Sequence, residues 1–275
     1  MVALRLLQSR CAPLHRSLNR RWLSTREMFE HTEGRWLFNE DINLKLRHRP
    51  FNVAALESAA CQSVEAQRVA NWKKIGEGAY NKVFLLEFDN NRKAALRIPC
   101  PIVPNVQRTT ASEVATMQYL HDSTETSEAT LVPKVLTWNA SFDSEVGVPY
   151  ILLDYKEGIV ASEKWFLPET KGTPVREVLK QVSWFELTTL QDRFSANGAI
   201  YFADDVEGVE GIRPLYDDSI NSRRYHPKNW LHLSEKYRIG PSVQREWYRD
   251  VYEQLDVFRG PCEYLQSFQR CLVLC

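Results

Sequence analysis

The sequence predicts an α+β fold, a small antiparallel sheet that leads into helices, and three observations predict it. Two apolar runs, Lys82–Phe88 and Ala94–Ile98, flank the turn sequence Asp89-Asn90-Asn91-Arg92, which is the pattern of a hairpin. Val114, Met117 and Leu120 then recur at helical spacing. Further on, Thr173-Pro174 opens a broad apolar stripe through Val175, Val178, Leu179, Val182, Phe185 and Leu190 as far as Phe194, a cap followed by proline at the first helical position.

The 275 residues, 44% of them hydrophobic, suffice for one large domain or two smaller ones with an apolar core. Thirty-five basic residues balance 35 acidic ones, which argues against a nucleic-acid binder held mainly by phosphate contacts. The balance is uneven along the chain. Residues 1–23 carry five arginines and no acid, so the remainder has 30 basic against 35 acidic residues, a formal charge of −5. Arg10, Arg16 and Arg20 fall largely off a face formed by Leu7, Leu14 and Leu18, and Pro13 divides that stretch into two amphipathic pieces. An arginine-rich, serine-containing, acid-free start is the composition of a mitochondrial transit peptide, with cleavage expected between Arg21 and Arg26; the bland alternative is a disordered basic tail. No 18-residue apolar run occurs, so no transmembrane segment is expected. Six cysteines include no Cys-x-x-Cys pair, and no zinc site or other metal site is expected.

The elements are expected in this order. Asn52 caps a helix over Phe51–Val64, and Val69–Ile75 is a short strand. The hairpin follows, and then Pro99, Pro101 and Pro104 are expected to extend the linker. A helix of about three turns starts near Thr110 or Ser112. Strands are expected at Val132–Trp138 and Tyr150–Tyr155, then the long helix, then a short strand at Ala199–Phe202 after Asn197-Gly198. Residues 203–243 read as irregular, and Trp247, Val251 and Leu255 suggest a last helix over Val243–Phe258, stopped by Gly260-Pro261.

Between the first two strands lies Ile75-Gly76-Glu77-Gly78-Ala79-Tyr80-Asn81-Lys82-Val83. Gly76 and Gly78 would let backbone amides approach phosphate oxygens. It is not a dinucleotide fingerprint, because Asn81 stands at the third glycine position and a strand follows. The second hairpin strand carries Arg97 and the next helix carries Glu113. In a kinase-like lobe a cation at the first position orients phosphates and a carboxylate at the second steadies it. Arginine supplies a planar, permanently charged fork in place of the more usual lysine. Asp154 and Tyr155 close the last strand of the sheet, where a hinge would offer backbone groups to an adenine. The bland alternative is a plain hairpin with Arg97 and Glu113 on the surface.

These residues, with Leu96-Arg97-Ile98-Pro99-Cys100-Pro101, Ser112-Glu113-Val114-Ala115-Thr116-Met117, Ile151-Leu152-Leu153-Asp154-Tyr155 and Leu255-Asp256-Val257-Phe258-Arg259-Gly260-Pro261-Cys262, carry a resemblance. The chain resembles the fungal altered inheritance of mitochondria protein 9 family, of the aminoglycoside-phosphotransferase-like, protein-kinase-like fold, from about Trp36 to Glu263. The resemblance implies a transit peptide at 1–23 and a helical extension at 24–68. It further implies a kinase-like amino-terminal lobe at 69–158 and the first part of a mainly helical carboxy-terminal lobe at 159–275. It implies nucleotide binding, ATP with Mg2+, through Gly76, Glu77, Gly78, Ala79, Asn81, Arg97, Glu113, Asp154 and Tyr155, and a mitochondrial location.

The family's catalytic loop, His-x-Asp with an asparagine five residues beyond the aspartate, is not found, nor is the metal-binding aspartate after it. His121-Asp122 is expected in a polar loop and has Ser127 where the asparagine would stand; His226-Pro227-Lys228-Asn229 has no aspartate; Asp204-Asp205 and Asp217-Asp218 read as solvated loops. Phosphoryl transfer needs an acceptor-positioning carboxylate and a held metal. The expectation is a C-terminally truncated chain, itself inactive, that binds nucleotide weakly or not at all. The alternative is a non-catalytic, pseudokinase-like module with an unknown small-molecule or protein partner.

Overall fold

Side chains on a strand alternate between faces, so Phe84, Leu86 and Phe88 fall on one side of the hairpin and Val83 and Leu85 on the other. The first side builds the main core. The computed structural model describes residues 23–123, 132–158, 173–189, 192–219, 226–248 and 258–262. Three helices, α1 (Thr25–Phe29), α2 (Glu40–Arg47) and α3 (Val53–Val64), precede β1 (Val69–Glu77), β2 (Asn81–Phe88) and β3 (Lys93–Pro99). Helix α4 (Val106–Ser123) leads to β4 (Val135–Asn139) and β5 (Tyr150–Asp154). The five strands make one antiparallel sheet in the order β1-β2-β3-β5-β4. There follow α5 (Thr173–Thr189), β6 (Ala199–Phe202), β7 (Arg213–Pro214), α6 (Trp230–Lys236) and β8 (Tyr237–Gly240), with a small sheet ordered β6-β8-β7. An amino-terminal antiparallel sheet with flanking helices, followed by a mainly helical region, is the expected two-lobe α+β arrangement.

Helix α3 begins where expected, the Asn52 side chain accepting from the Ala55 amide at 3.2 Å, and ends on Glu65 in the left-handed region. Its Leu56, Ala60 and Val64 pack on Trp72, Phe84, Leu86, Leu96 and Leu152. The hairpin turn forms as its residues dictate: Asn91 adopts a φ of 62°, and the Asn90 carboxamide accepts from the Arg92 amide at 3.1 Å. On the other side of the sheet, Val83 lies opposite Arg97, Leu85 opposite Ala95, and Ala95 opposite Leu153.

Several expectations need correcting. Strand β1 continues through Gly76 and Glu77, so the glycine turn is only Gly78-Ala79-Tyr80, and neither glycine adopts a left-handed φ. The three prolines do not extend the linker: Val103 donates to the Cys100 carbonyl at 3.0 Å, because proline fixes only φ, at a value turns also use. Helix α4 starts at Val106 and runs 18 residues, five turns rather than three. It also takes in His121 and Asp122, expected in a loop, since Gln118 bonds Asp122 at i+4 across 2.9 Å. Residues 203–243 are less irregular than expected. They hold β7, α6 and β8, pieces of two to seven residues, too short for periodicity to register.

Helix α4 links the two lobes. It packs on β4 and β5 and, through Ala115 and Tyr119, on Leu215, Tyr216, Leu233, Tyr237 and Ile239. Asp122 near its end accepts from Lys236 Nζ at 2.7 Å and from the Tyr237 hydroxyl at 2.8 Å. Burial pushes the Asp122 carboxyl up, but these bonds outweigh it and hold it below its ordinary value. Gly198 is required where β6 begins, because a Cβ there would lie 2.4 Å from the Gly240 carbonyl oxygen. Of the last expected helix, the described part is a 3-10 turn at Arg245–Tyr248; residues 249–257, the leader at 1–22, Leu190 and the chain end at 263–275 lie outside the described residues.

Candidate functional site

Arg97 stands on β3, on the side of the sheet away from α3, and Glu113 reaches it from the second turn of α4. Both terminal guanidinium nitrogens donate to the two carboxylate oxygens, Nη1 to Oε1 and Nη2 to Oε2. This fork-on-fork pairing fixes the guanidinium plane as well as its position. The side chains are 24% and 25% exposed, so the pair is half-sheltered and still reachable. Burial lowers the Arg97 pKa from its ordinary value, and an arginine keeps its charge regardless.

A cavity of about 70 Å³ adjoins the pair, with Tyr80, Asn81, Arg97, Thr110, Glu113 and Arg245 among its lining. Two buried polar atoms of this lining have no hydrogen-bond partner among the described residues: Nε of Arg97, a donor, and Oδ1 of Asn81, an acceptor. Buried polar atoms are nearly always paired, and an orphaned donor and acceptor around one cavity are complementary to a polar ligand or to water. The cavity has room for a few waters or a phosphoryl-sized group. A whole nucleotide needs roughly 300 Å³ or more, so its base and ribose would have to lie along the open sheet face beyond the cavity.

The glycine turn sits directly beside this space. Gly76 pairs with Val83, which pairs with Arg97, so the three lie in one row across β1, β2 and β3. The Gly78 amide donates to the Asn81 carbonyl at 2.9 Å and closes the turn. A Cβ on Gly78 would meet nothing within 4 Å, so the protein's own packing does not demand glycine there. Ala79 is exposed at the tip. The Tyr80 ring is covered by the guanidinium of Arg245 at 3.5 Å, a contact between segments that no sequence pattern connects.

Other sequence-chosen residues lie elsewhere. The Glu77 side chain does not share the cavity; it is fully buried among groups of the amino-terminal segment. It accepts from Lys74 Nζ at 2.6 Å and from the Thr32 amide at 2.7 Å, with His31 Nδ1 at 3.6 Å and Lys82 Nζ at 3.8 Å. Burial pushes the Glu77 carboxyl up, but the Lys74 and Thr32 bonds more than offset this and hold it below its ordinary value. Lys82, which sequence reading had only as part of the turn, is buried and donates to the Phe29 carbonyl. Burial pushes its ammonium down to about 8, with Glu77 pulling the other way. This cluster straps residues 29–32 onto the back of the glycine turn. Asp154 and Tyr155 close β5 away from the cavity; Asp154 pairs with Lys156 at 2.7 Å and donates its amide to the Lys134 carbonyl at 2.8 Å. The Tyr155 amide faces the Lys93 carbonyl at 3.4 Å.

No protein-family model matches the chain, and no solved structure matches it. A subtelomeric hrmA-associated cluster protein of Aspergillus fumigatus is 31% identical over 189 residues, 69% of this chain and 32% of that protein. The altered inheritance of mitochondria protein 9, mitochondrial, of Yarrowia lipolytica is 24% identical over 253 residues, covering 87% of this chain and 42% of its own length. The protein of the same name from Candida albicans is 28% identical over 274 residues, again 42% of its length. The chain thus spans 32% to 42% of the length of these curated relatives. Over most of its own length it is a distant homologue of the fungal altered inheritance of mitochondria protein 9 proteins.

Proposed function

We propose that this chain is the nucleotide-binding portion of a kinase-like, aminoglycoside-phosphotransferase-like mitochondrial protein, with residues 69–158 as its amino-terminal lobe and 159–275 as part of its second lobe. One observation carries the reading. The Arg97–Glu113 clasp, with the orphaned Arg97 Nε and Asn81 Oδ1, surrounds a cavity that adjoins the glycine turn. In this reading Arg97 orients the phosphates of ATP, Glu113 holds Arg97 in place, and the backbone of Gly76–Asn81 covers the phosphates. The half-buried side chains of Val83, Ala95 and Leu153 face the base, and the backbone at Asp154 and Tyr155 borders it. Mg2+ would arrive with the phosphates. The Glu77 side chain serves the amino-terminal strap instead. A mitochondrial location is supported by the arginine-rich, acid-free leader and by the names of the relatives. In this reading the chain by itself transfers no phosphoryl group, since the His-x-Asp loop and the metal-binding aspartate are not found in its sequence, and it binds nucleotide weakly.

Titration calorimetry of the chain with Mg-ATP tests this. We expect saturable binding that weakens by about 10- to 100-fold in Arg97→Ala, the size of losing charge-assisted hydrogen bonds to phosphate. A variant that still melts cooperatively yet binds as tightly as the parent sinks the reading, as does an absence of heat at millimolar nucleotide.

A second reading, a non-catalytic module that meets a protein partner, is favoured by α5, whose Val178, Leu179 and Leu187 are 45%, 54% and 64% exposed. Contiguous exposed apolar residues on one helix are a contact surface in waiting. Sedimentation should show self-association of the isolated chain; a monodisperse monomer at high concentration argues against this reading.

A further inference from the structure

Three charged side chains line the cavity beside the glycine turn: Arg97, Glu113 and Arg245. Glu113 commits both carboxylate oxygens to Arg97. That leaves Arg245 as a cation at the cavity rim, with no carboxylate paired to it among the described residues. Its guanidinium carbon lies over the Tyr80 ring, 3.5 Å from the ring centre. A cation–π contact of this kind consumes none of the guanidinium's N–H donors, which are suited to phosphate oxygens. The segment bearing it is held in place from behind. The Tyr248 hydroxyl donates to the Ser242 carbonyl at 3.0 Å, and the Ser242 amide donates to the Arg259 carbonyl at 2.8 Å. The side chain of Asn105, the residue before α4, donates to the same Tyr248 hydroxyl at 3.4 Å.

We propose that Arg245 is a polyphosphate-binding residue, a second guanidinium of the cavity that, together with Arg97, holds the terminal phosphates of a nucleoside triphosphate. The proposal rests on the nucleotide reading given above and deepens it: it makes the site selective for triphosphate over monophosphate, and it brings a residue of the second lobe onto the ligand. Arg245 itself is exposed, so its truncation leaves the core intact.

The test measures the affinity of the 275-residue chain for Mg-ATP, AMP and inorganic tripolyphosphate, with the variants Arg245→Ala, Arg245→Lys and Tyr80→Leu. Arg245→Ala should weaken Mg-ATP and tripolyphosphate about 10- to 100-fold and AMP less than about twofold, with Arg245→Lys recovering part of the loss. Tyr80→Leu removes the stacking partner but keeps the charge, and should cost far less than Arg245→Ala. Equal losses in the two would mean that the arginine only braces the turn, and would overturn the proposal. So would wild-type affinity for tripolyphosphate in Arg245→Ala; if Mg-ATP still bound, the nucleotide reading would survive alone. Tripolyphosphate binding that depends on Arg245, with no gain from adenosine in Mg-ATP, would support the arginine's role and count against the nucleotide reading. A parent chain that binds neither probe refutes both.

Discussion

Glu77→Ala should destabilise the chain by about 3–5 kcal/mol, because it removes one partner from a buried ionic cluster and leaves the others uncompensated. The Glu77 carboxylate is fully buried, and the Lys82 and Lys74 side chains beside it are 2% and 9% exposed. With the carboxylate gone, the Thr32 amide loses its acceptor and the two ammonium groups lose the one carboxylate paired with them among the described residues. The amino-terminal segment should then detach, and limited trypsin digestion should cut near Arg35 far faster than in the parent chain. Urea unfolding within 1 kcal/mol of the parent would show that the cluster is held by something other than charge.

The cluster also sets a pH dependence. Glu77 is held below its ordinary value, so its contribution is present above that range and fades as pH falls through its folded pKa. Lys82 acts in the opposite sense. Its folded pKa of about 8 lies below its ordinary 10.5, so between these values the unfolded chain binds the extra proton and stability rises with pH. Buried thiols and phenols oppose this in the same window, since burial raises Cys61, Cys100 and Tyr201. The Lys82 part is therefore read as a difference: relative to Lys82→Met, the parent should gain stability as pH rises from 8 to 10.5. A difference that stays flat over that window would contradict the assigned shift.

Trp72→Ala should cost a similar amount, about 3–5 kcal/mol, through the cavity it opens. Trp72 is 2% exposed at the centre of the main core and meets Phe84 edge to face at 5.8 Å. Its indole N–H donates to Glu57 Oε1 at 2.7 Å, which ties β1 to α3. Trp72→Phe keeps most of the volume but loses the hydrogen bond and leaves a smaller void, so it should cost less, about 1–3 kcal/mol. Chemical denaturation of the three proteins separates the terms. Equal losses in both variants would assign the tryptophan's role to its hydrogen bond rather than to its bulk.

How far the sequence could be read depended on the range of the interactions. Asn52, Asn91 and the alternation from Val83 to Phe88 act over a few residues, and the elements they announce are in place. Arg97 and Glu113 could be paired in advance only through the likeness to a kinase-like lobe, in which a strand cation is steadied by a carboxylate on the next helix. Glu77 could not be placed. Its neighbours in the sequence are glycines suited to a ligand, yet a strand turns alternate residues to opposite sides, and β1 runs two residues further than its apolar pattern shows. Asp122 looked like a loop residue because its partners, Lys236 and Tyr237, lie in a later segment.

The local code of caps, turns and periodicities thus determined α3, the hairpin and the strand and helix that carry Arg97 and Glu113. The tertiary structure alone decided that Glu77 and Lys82 would anchor the amino-terminal strap, and that Arg245 would lie on Tyr80. Those contacts join segments far apart in the chain, and their energy comes from burying charge and stacking rings where the segments meet. No residue's immediate neighbours carry that information.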